Sequence, residues 1–339
     1  MSEPDWDTYY CKHCVRLYGW LPASKEYLER AKKANIKYFT LSAAKAIDIF
    51  MFEMAGLLPR DKSGKVPNVV ICEESLDKVP EILDVVRPPT DEAIIIGKLQ
   101  DVLAFEDDEY TKIAPLNAYS KDPKKREQLR LKRTFERLRL FFPFDIINFD
   151  PCDSLLSEDI AENKLYLALE NVFELQKSTA NFLLFVTIPK IDVAGSSINR
   201  FRSDLEDNVY KYPEIKEALL SSTKTIDYDG IEENKRTALG VAKSIVLRAA
   251  RKKSWNCEHQ GIYVYENEHG HRILNLVILC AQASGEPSES SYVEDLVRII
   301  LDMPKYYSFS ESSSNEQVKE HLNEIVKFRQ KSRQEYWTV

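Results

Sequence analysis

The sequence predicts an α/β fold: a doubly wound, mostly parallel sheet with an antiparallel hairpin at its C-terminal end. Two patterns carry that prediction. Five short runs, apolar on both faces, alternate with helical segments, and such strands belong to a sheet covered by helices on both sides. Beyond them, two further β-rich runs flank Glu266–His271, which is a hairpin signal.

A segment containing Cys11-Lys12-His13-Cys14 opens the chain, and a helix is expected over roughly 24–34 with Ser24 as its N-cap. Lys37–Leu41 is the first strand. Ser42-Ala43-Ala44 then lead into an apolar helix through Ile47, Phe50, Met51, Met54 and Leu57. Val69–Cys72, β-branched and ending at Glu73-Glu74, is the second strand, and its helix runs through Ile82, Leu83 and Val86 to Pro88-Pro89. Ala93–Ile96 is the third, followed by Gly97 to Asp101, and a long basic helix spans about Pro123 to Leu140. Phe144, Ile146, Ile147 and Phe149 make the fourth strand, stopped at Asp150-Pro151 because proline donates no backbone N–H. A helix from Lys164 to Thr179 leads to the fifth, Phe182–Ile188.

Helical segments are expected around 199–221 and 233–253, then the hairpin strands Gly261–Tyr265 and Arg272–Leu279. Two last helices, about 291–302 and 315–335, are separated by a serine-rich loop at Ser308–Ser314. The expected organisation is an N-terminal cysteine-containing segment (1–35), an α/β domain (36–282) and a C-terminal helical appendage (283–339).

Composition narrows the function classes. A chain of 339 residues, 44% hydrophobic, can bury a large core. No apolar run approaches the roughly 20 residues that a membrane span needs. The acidic N-terminus lacks a signal-peptide core, so a cytoplasmic protein is expected. A net charge of −7 argues against general affinity for nucleic acid. Six cysteines without a secretion signal read as thiols, some of them candidate metal ligands.

Ligands of open α/β sheets bind beyond the carboxyl ends of the strands. Asp150, Cys152 and Asp153 after the fourth strand, and Glu73 and Glu74 after the second, are therefore candidate site residues. The order of five β-α units and a closing hairpin resembles the class I S-adenosylmethionine-dependent methyltransferase superfamily, a Rossmann-like fold, over roughly residues 36–282. The resemblance implies an S-adenosylmethionine site in which Ser42 and Ala43 lie in the cofactor loop. It implies that Glu73 or Glu74 holds the ribose hydroxyls and that Gln100 or Asp101 reads the adenine amino group. The family's glycine-rich loop has no glycine here, at Leu41-Ser42-Ala43-Ala44-Lys45. Asp150-Pro151 resembles the first half of the Asp/Asn-Pro-Pro-aromatic motif of amino-methylating enzymes, with Cys152 and Asp153 in place of the second half. The implied catalytic residues are Asp150, which would orient an acceptor amine for in-line methyl transfer, and Asp153.

Two further constellations stand beside that one. Cys11 and Cys14 form half of a zinc site, and Cys257 with His259 offers the best second pair, giving a structural clamp; His13, His269 and His271 are alternatives. The other reading is buried thiols and an exposed histidine. Lys121 to Arg139 holds nine basic residues and three acids, among them Lys124, Lys125, Arg126, Arg130 and Arg133. Asn234 to Lys253 is basic without acids and includes Arg248, Arg251 and Lys252. Converging, these helices would form a phosphate-contacting stripe for nucleic acid; apart, they are solvated faces. The expected function is thus a methyltransferase-like protein binding S-adenosylmethionine or a related adenosine ligand. The rival is a catalytically inactive Rossmann-like subunit that binds a protein or nucleic-acid partner.

Overall fold

The computed structural model describes residues 10–41, 45–105, 122–151, 164–189, 213, 245–266, 272–283, 306–309 and 316–337. Helices α1 (Tyr10–Val15) and α2 (Leu21–Ala31) are joined without a break by a π-helical turn, Arg16–Trp20. Strand β1 (Tyr38–Thr40), α3 (Ile47–Met54), β2 (Val69–Glu73) and α4 (Val79–Val86) follow. Then come β3 (Ile94–Ile96), α5 (Leu99–Leu103), α6 (Pro123–Arg139) and β4 (Ile146–Phe149). Helix α7 (Lys164–Leu175), β5 (Asn181–Pro189), a helical segment at 245–252 and the hairpin β6 (Trp255–Glu266) and β7 (Arg272–Gln282) lead to β8 (Tyr306–Phe309) and α8 (Glu316–Trp337).

The strands make one sheet in the order β3-β2-β1-β4-β5-β7-β6-β8. Strands β1 to β5 pair in parallel, and β7 enters antiparallel between β5 and β6. The doubly wound sheet with a C-terminal antiparallel hairpin is what the alternating apolar runs predict. The topological switch lies between β1 and β4, where the order reverses, and ligands of open α/β sheets bind beyond the carboxyl ends of strands at such a point.

Strand alternation divides the core in two. One face carries Phe39, Ile147, Phe149, Val186 and Trp255 under α5, α6, α7 and the 245–252 segment. The other carries Tyr38, Ile71, Ile146 and Phe185 under α1, α2, α3 and α4, and Ile325 of α8 packs into this same core. Arg329 of α8 also pairs with Glu81 of α4 at 2.9 Å, so both ends of the described chain lie on one sheet face.

Two local expectations are corrected, and one loop holds an unusual backbone conformation. Ser24 does not cap a helix; it lies inside α2, and its hydroxyl donates to Trp20 O at 2.7 Å. Serine bonds back to the i−4 carbonyl when the chain before it is already helical. Residues 306–309, expected at the start of a loop, add β8 in parallel to β6. The loop after β1 does reach a left-handed residue, but at Ala46 (φ 51°), a conformation unusual for any residue with a Cβ. The helices expected at 199–221, apart from residue 213, and at 291–302 lie outside the described residues.

Candidate functional site at the carboxyl ends of the strands

The two sheet faces end differently. On the face under α1 and α3, each central strand changes from apolar to polar within three residues of its tip. Tyr38 gives way to Thr40 on β1, Ile146 to Asn148 on β4, Phe185 to Thr187 on β5 and Val277 to Asn275 on antiparallel β7. Register puts Tyr38 beside Ile146, Asn148 beside Phe185 and Thr187 beside Asn275, so the polar residues form a tier across the switch point. All four are at least 96% buried, with exposures of 0, 2, 4 and 2%.

Burial obliges these groups to bond one another. Tyr38 and Thr40 both donate to Oδ2 of Asp48, at 2.6 and 2.7 Å. Asn148 Nδ2 donates to Thr40 Oγ1 at 3.1 Å. Asp48 is itself buried, in the first turn of α3, where the helix dipole favours a carboxylate. Burial and the Asp48 charge push the Tyr38 hydroxyl well above its ordinary range. At the far end of the tier Asn275 donates to Thr187 Oγ1 at 2.8 Å and accepts from Trp20 Nε1 at 2.9 Å.

The helical cover is fitted to this tier. Tyr263 of β6 donates to Tyr18 O in the π-helical turn, and a Cβ added to Gly19 or to Gly261 would lie 2.7 Å from its ring. Only glycine admits the ring from both sides. π-helical turns are rare and often stand at functional sites. The inward side of α1 is polar: Cys11, His13 and Cys14 are buried, as is Arg16 just beyond. His13 stacks on His321 of α8 with Nε2 and Nδ1 3.1 Å apart. Burial first, then Arg16 and His321, push His13 down to about 3.

Of the sequence-predicted residues, Glu73 and Asp150 stand at strand tips near this tier. Glu73 is 8% exposed at the tip of β2, on the same face as Thr40 and Asn148 by strand alternation. Its Oε1 accepts from Ser75 N at 2.8 Å, while burial raises its carboxyl above the ordinary range. Glu74 is exposed and pairs with Lys98 at 3.5 Å. Gln100 and Asp101 lie in α5, where Asp101 accepts from exposed Lys164 at 2.9 Å. Asp150 pairs with Lys12 of α1 at 2.5 Å, tying the N-terminal helix to the rim. Ser42, Ala43, Cys152 and Asp153 lie outside the described residues. Thr40, Asp48, Asn148, Thr187, Asn275 and Lys12 escaped the sequence reading. For the four strand residues the one signal is a polar residue two places from an apolar one, near the ends of four neighbouring strands; Asp48 and Lys12, on helices, carry none.

The proposed zinc clamp is not assembled. Cys11 belongs to the core of the α1–α3 face, whereas Cys257 lies in the opposite core and faces Cys280 across the hairpin, with Sγ atoms 3.9 Å apart. His259, two residues on from Cys257, shares its face, so the sheet stands between the two halves. Among the described residues no three His, Cys, Asp or Glu side chains gather as metal ligands. His269 and His271 lie outside the described residues. Cys72 and Cys280 are core residues, as expected.

The described parts of the two basic runs, α6 and segment 245–252, share a sheet face, with α5 and α7 between them. Helix α6 lies along edge strand β3, where Arg130 and Arg137 donate to Ile96 O and Ile94 O at 3.3 and 3.0 Å. Seven residues apart, they cover the outward carbonyls of an edge strand, one way of blunting a sheet edge. Segment 245–252 lies beyond α7, to which Lys252 and Lys253 bind through Glu170 and Glu174, at 2.8 and 3.3 Å. Helix α5 packs between α6 and α7. Lys124, Arg126 and Arg133 remain exposed on α6; Lys125 is half-buried there, as are Arg248 and Arg251 on the other helix. Among the described residues no helix is long and apolar enough to cross a membrane.

A family model described as PP_RS20740-like matches residues 130–290, a little under half of the chain. That span holds β4, β5 and the hairpin, hence Asn148, Asp150, Thr187 and Asn275, and leaves β1 to β3 outside. No curated protein matches the chain.

Proposed function

We propose that this protein binds an adenosine-containing ligand of the S-adenosylmethionine type at the crevice between β1 and β4. The observation that carries this is the buried polar tier, set on one face at the switch point of a doubly wound sheet. Structural stability alone favours apolar residues there, as the opposite face demonstrates. Glu73 suits the ribose: it is a carboxylate at the tip of β2, steadied through one oxygen by the Ser75 amide. S-adenosylmethionine would supply an activated methyl group. The protein's part would be to hold the ligand and align an acceptor, so that proximity supplies much of the rate.

A second reading has its own support. Asp150, the expected acceptor-orienting residue, is engaged by Lys12. A subunit that binds the ligand, or a partner, without methyl transfer accommodates that pairing directly. Lys12→Ala frees Asp150 and separates the two: methyl transfer to an amine acceptor should rise in a catalytic protein and stay absent in a binding subunit.

Thermal denaturation with S-adenosylmethionine and S-adenosylhomocysteine tests the binding reading. A ligand at about 100 times its Kd stabilises the native state by roughly 2.7 kcal/mol, or several degrees in Tm. That rise is expected for wild type and should shrink for Glu73→Ala. No rise at millimolar ligand would contradict it.

A further inference from the structure

We propose that a hollow between α2 and the amino end of β5 binds a small uncharged ring carrying a carbonyl oxygen, held by the side-chain amide of Gln260. Asn181, which opens β5, lines this hollow, whereas Thr187 and Asp150 stand at the opposite rim of the sheet. The two sites are therefore separate, and neither depends on the other.

Helix α2 makes one wall. Ala23, Glu26, Tyr27, Arg30 and Ala31 recur at helical spacing along one side of it, and all five line the hollow. The sheet makes the other wall, where Leu183 of β5 and Leu279 of β7 are direct partners in the ladder. Alanine at both ends of the helical wall leaves the space that a longer side chain would fill. That space is about 420 Å3 with its open mouth included, enough for one ring. Tyr27 is held in place within the wall, its hydroxyl 3.3 Å from both Asp145 Oδ1 and Asn181 O.

A β-bulge supplies the polar group. His259 pairs with Ile278 and Gly261 with Val277, the next residue along β7, so Gln260 is an extra residue with no partner in the ladder. Bulges of this kind re-aim a side chain. Gln260 lines the hollow, and its Nε2 is covered yet meets no acceptor among the described residues. A buried amide N–H in that condition is uncommon in a folded protein. A carbonyl oxygen in the hollow takes this hydrogen bond after a turn of the glutamine side chain, with no bond at the nitrogen to break.

Charge decides which carbonyl compounds fit. Glu26 and Arg30 pair with each other at 2.5 Å, so the hollow offers an ion no uncompensated countercharge. A carboxylate or an ammonium group entering it leaves water for walls built of Ala23, Ala31, Leu183 and Leu279. An amide or a ring ketone gains the Gln260 hydrogen bond without that cost.

Ligand-observed NMR titration of the full chain with benzamide, benzoate and benzylamine tests this, because the three share one ring and differ in the group it carries. Benzamide should bind, with benzoate and benzylamine at least about tenfold weaker. Gln260→Ala should weaken benzamide about three- to tenfold, the loss of one hydrogen bond between uncharged groups. Ala31→Leu should abolish binding by filling the space, with an unchanged or raised Tm reporting that the variant is folded; Ala23→Leu serves if it is not. No benzamide binding at millimolar concentration, or a charged probe bound as tightly as benzamide, would overturn the proposal. So would undiminished benzamide binding by Gln260→Ala or by the folded leucine variant.

Discussion

The two faces of the sheet are built from the same strands and end in opposite ways. Under α5 and α7 the face is apolar to the strand tips, closing with Phe149 and Ile188. Under α1 and α3 it turns polar within three residues of the tips of β1, β4, β5 and β7, and each polar group is buried. Burial of apolar side chains is worth roughly 25 cal/mol per Å2, so the first face carries stability. The second gives up part of that gain for a hydrogen-bonded tier. The difference separates a face built for stability from the face on which the proposed site lies.

Substitutions can break that contrast. The largest effect is expected on the apolar face. Trp255 is fully buried, edge-on to Phe182 at 5.0 Å, and donates to Phe173 O. Trp255→Ala should cost about 3–5 kcal/mol in urea unfolding and leave ligand selectivity unchanged. On the polar face, Asp48→Ala strands two buried hydroxyls and should cost about 2–3 kcal/mol, with ligand binding lost as well. A variant that binds normally would detach the tier from the site.

Acid should act on the cover of the polar face first. His13 is held at about 3 against an ordinary 6.5, by burial and by Arg16 and His321; His321 is lowered in turn by burial and Lys25, and raised by Glu324. The folded state favours neutral His13. Its contribution is complete above about pH 6.5 and is lost as pH falls toward 3, at up to about 1.4 kcal/mol per pH unit. Urea midpoints measured at pH 7, 5.5 and 4.5 should fall along that slope, and His13→Gln should flatten it. The smallest effect is a control at the end of α2, away from the strand tips. Lys32 closes α2 in the left-handed region at φ 53°, so Lys32→Gly should stabilise by about 0.5–1 kcal/mol without altering binding.

The sheet was legible because its strands are apolar on both faces and bounded by proline, acid or glycine. Val69–Cys72 and Phe182–Ile188 have no other economical reading. The tier was not, because each strand contributes a single polar residue. Thr40 and Thr187 are ordinary strand residues, and Asn148 sits between Ile147 and Phe149. Only register, which depends on which strands become neighbours, turns four isolated residues into a row. Asp150 and Glu73 could be placed at strand ends, since an acid after an apolar run is a local signal. The Lys12 partner of Asp150, 138 residues away, is not. Nor did the basic run of α6 disclose that two of its arginines cover the carbonyls of β3.

A crystal structure of the protein grown with S-adenosylhomocysteine would bear most directly on the proposed site. The ligand is expected across the tips of β2, β1 and β4, with ribose hydroxyls on Glu73. Density elsewhere on the molecule, or a crevice filled by the chain's own side chains in ligand-saturated crystals, would contradict it.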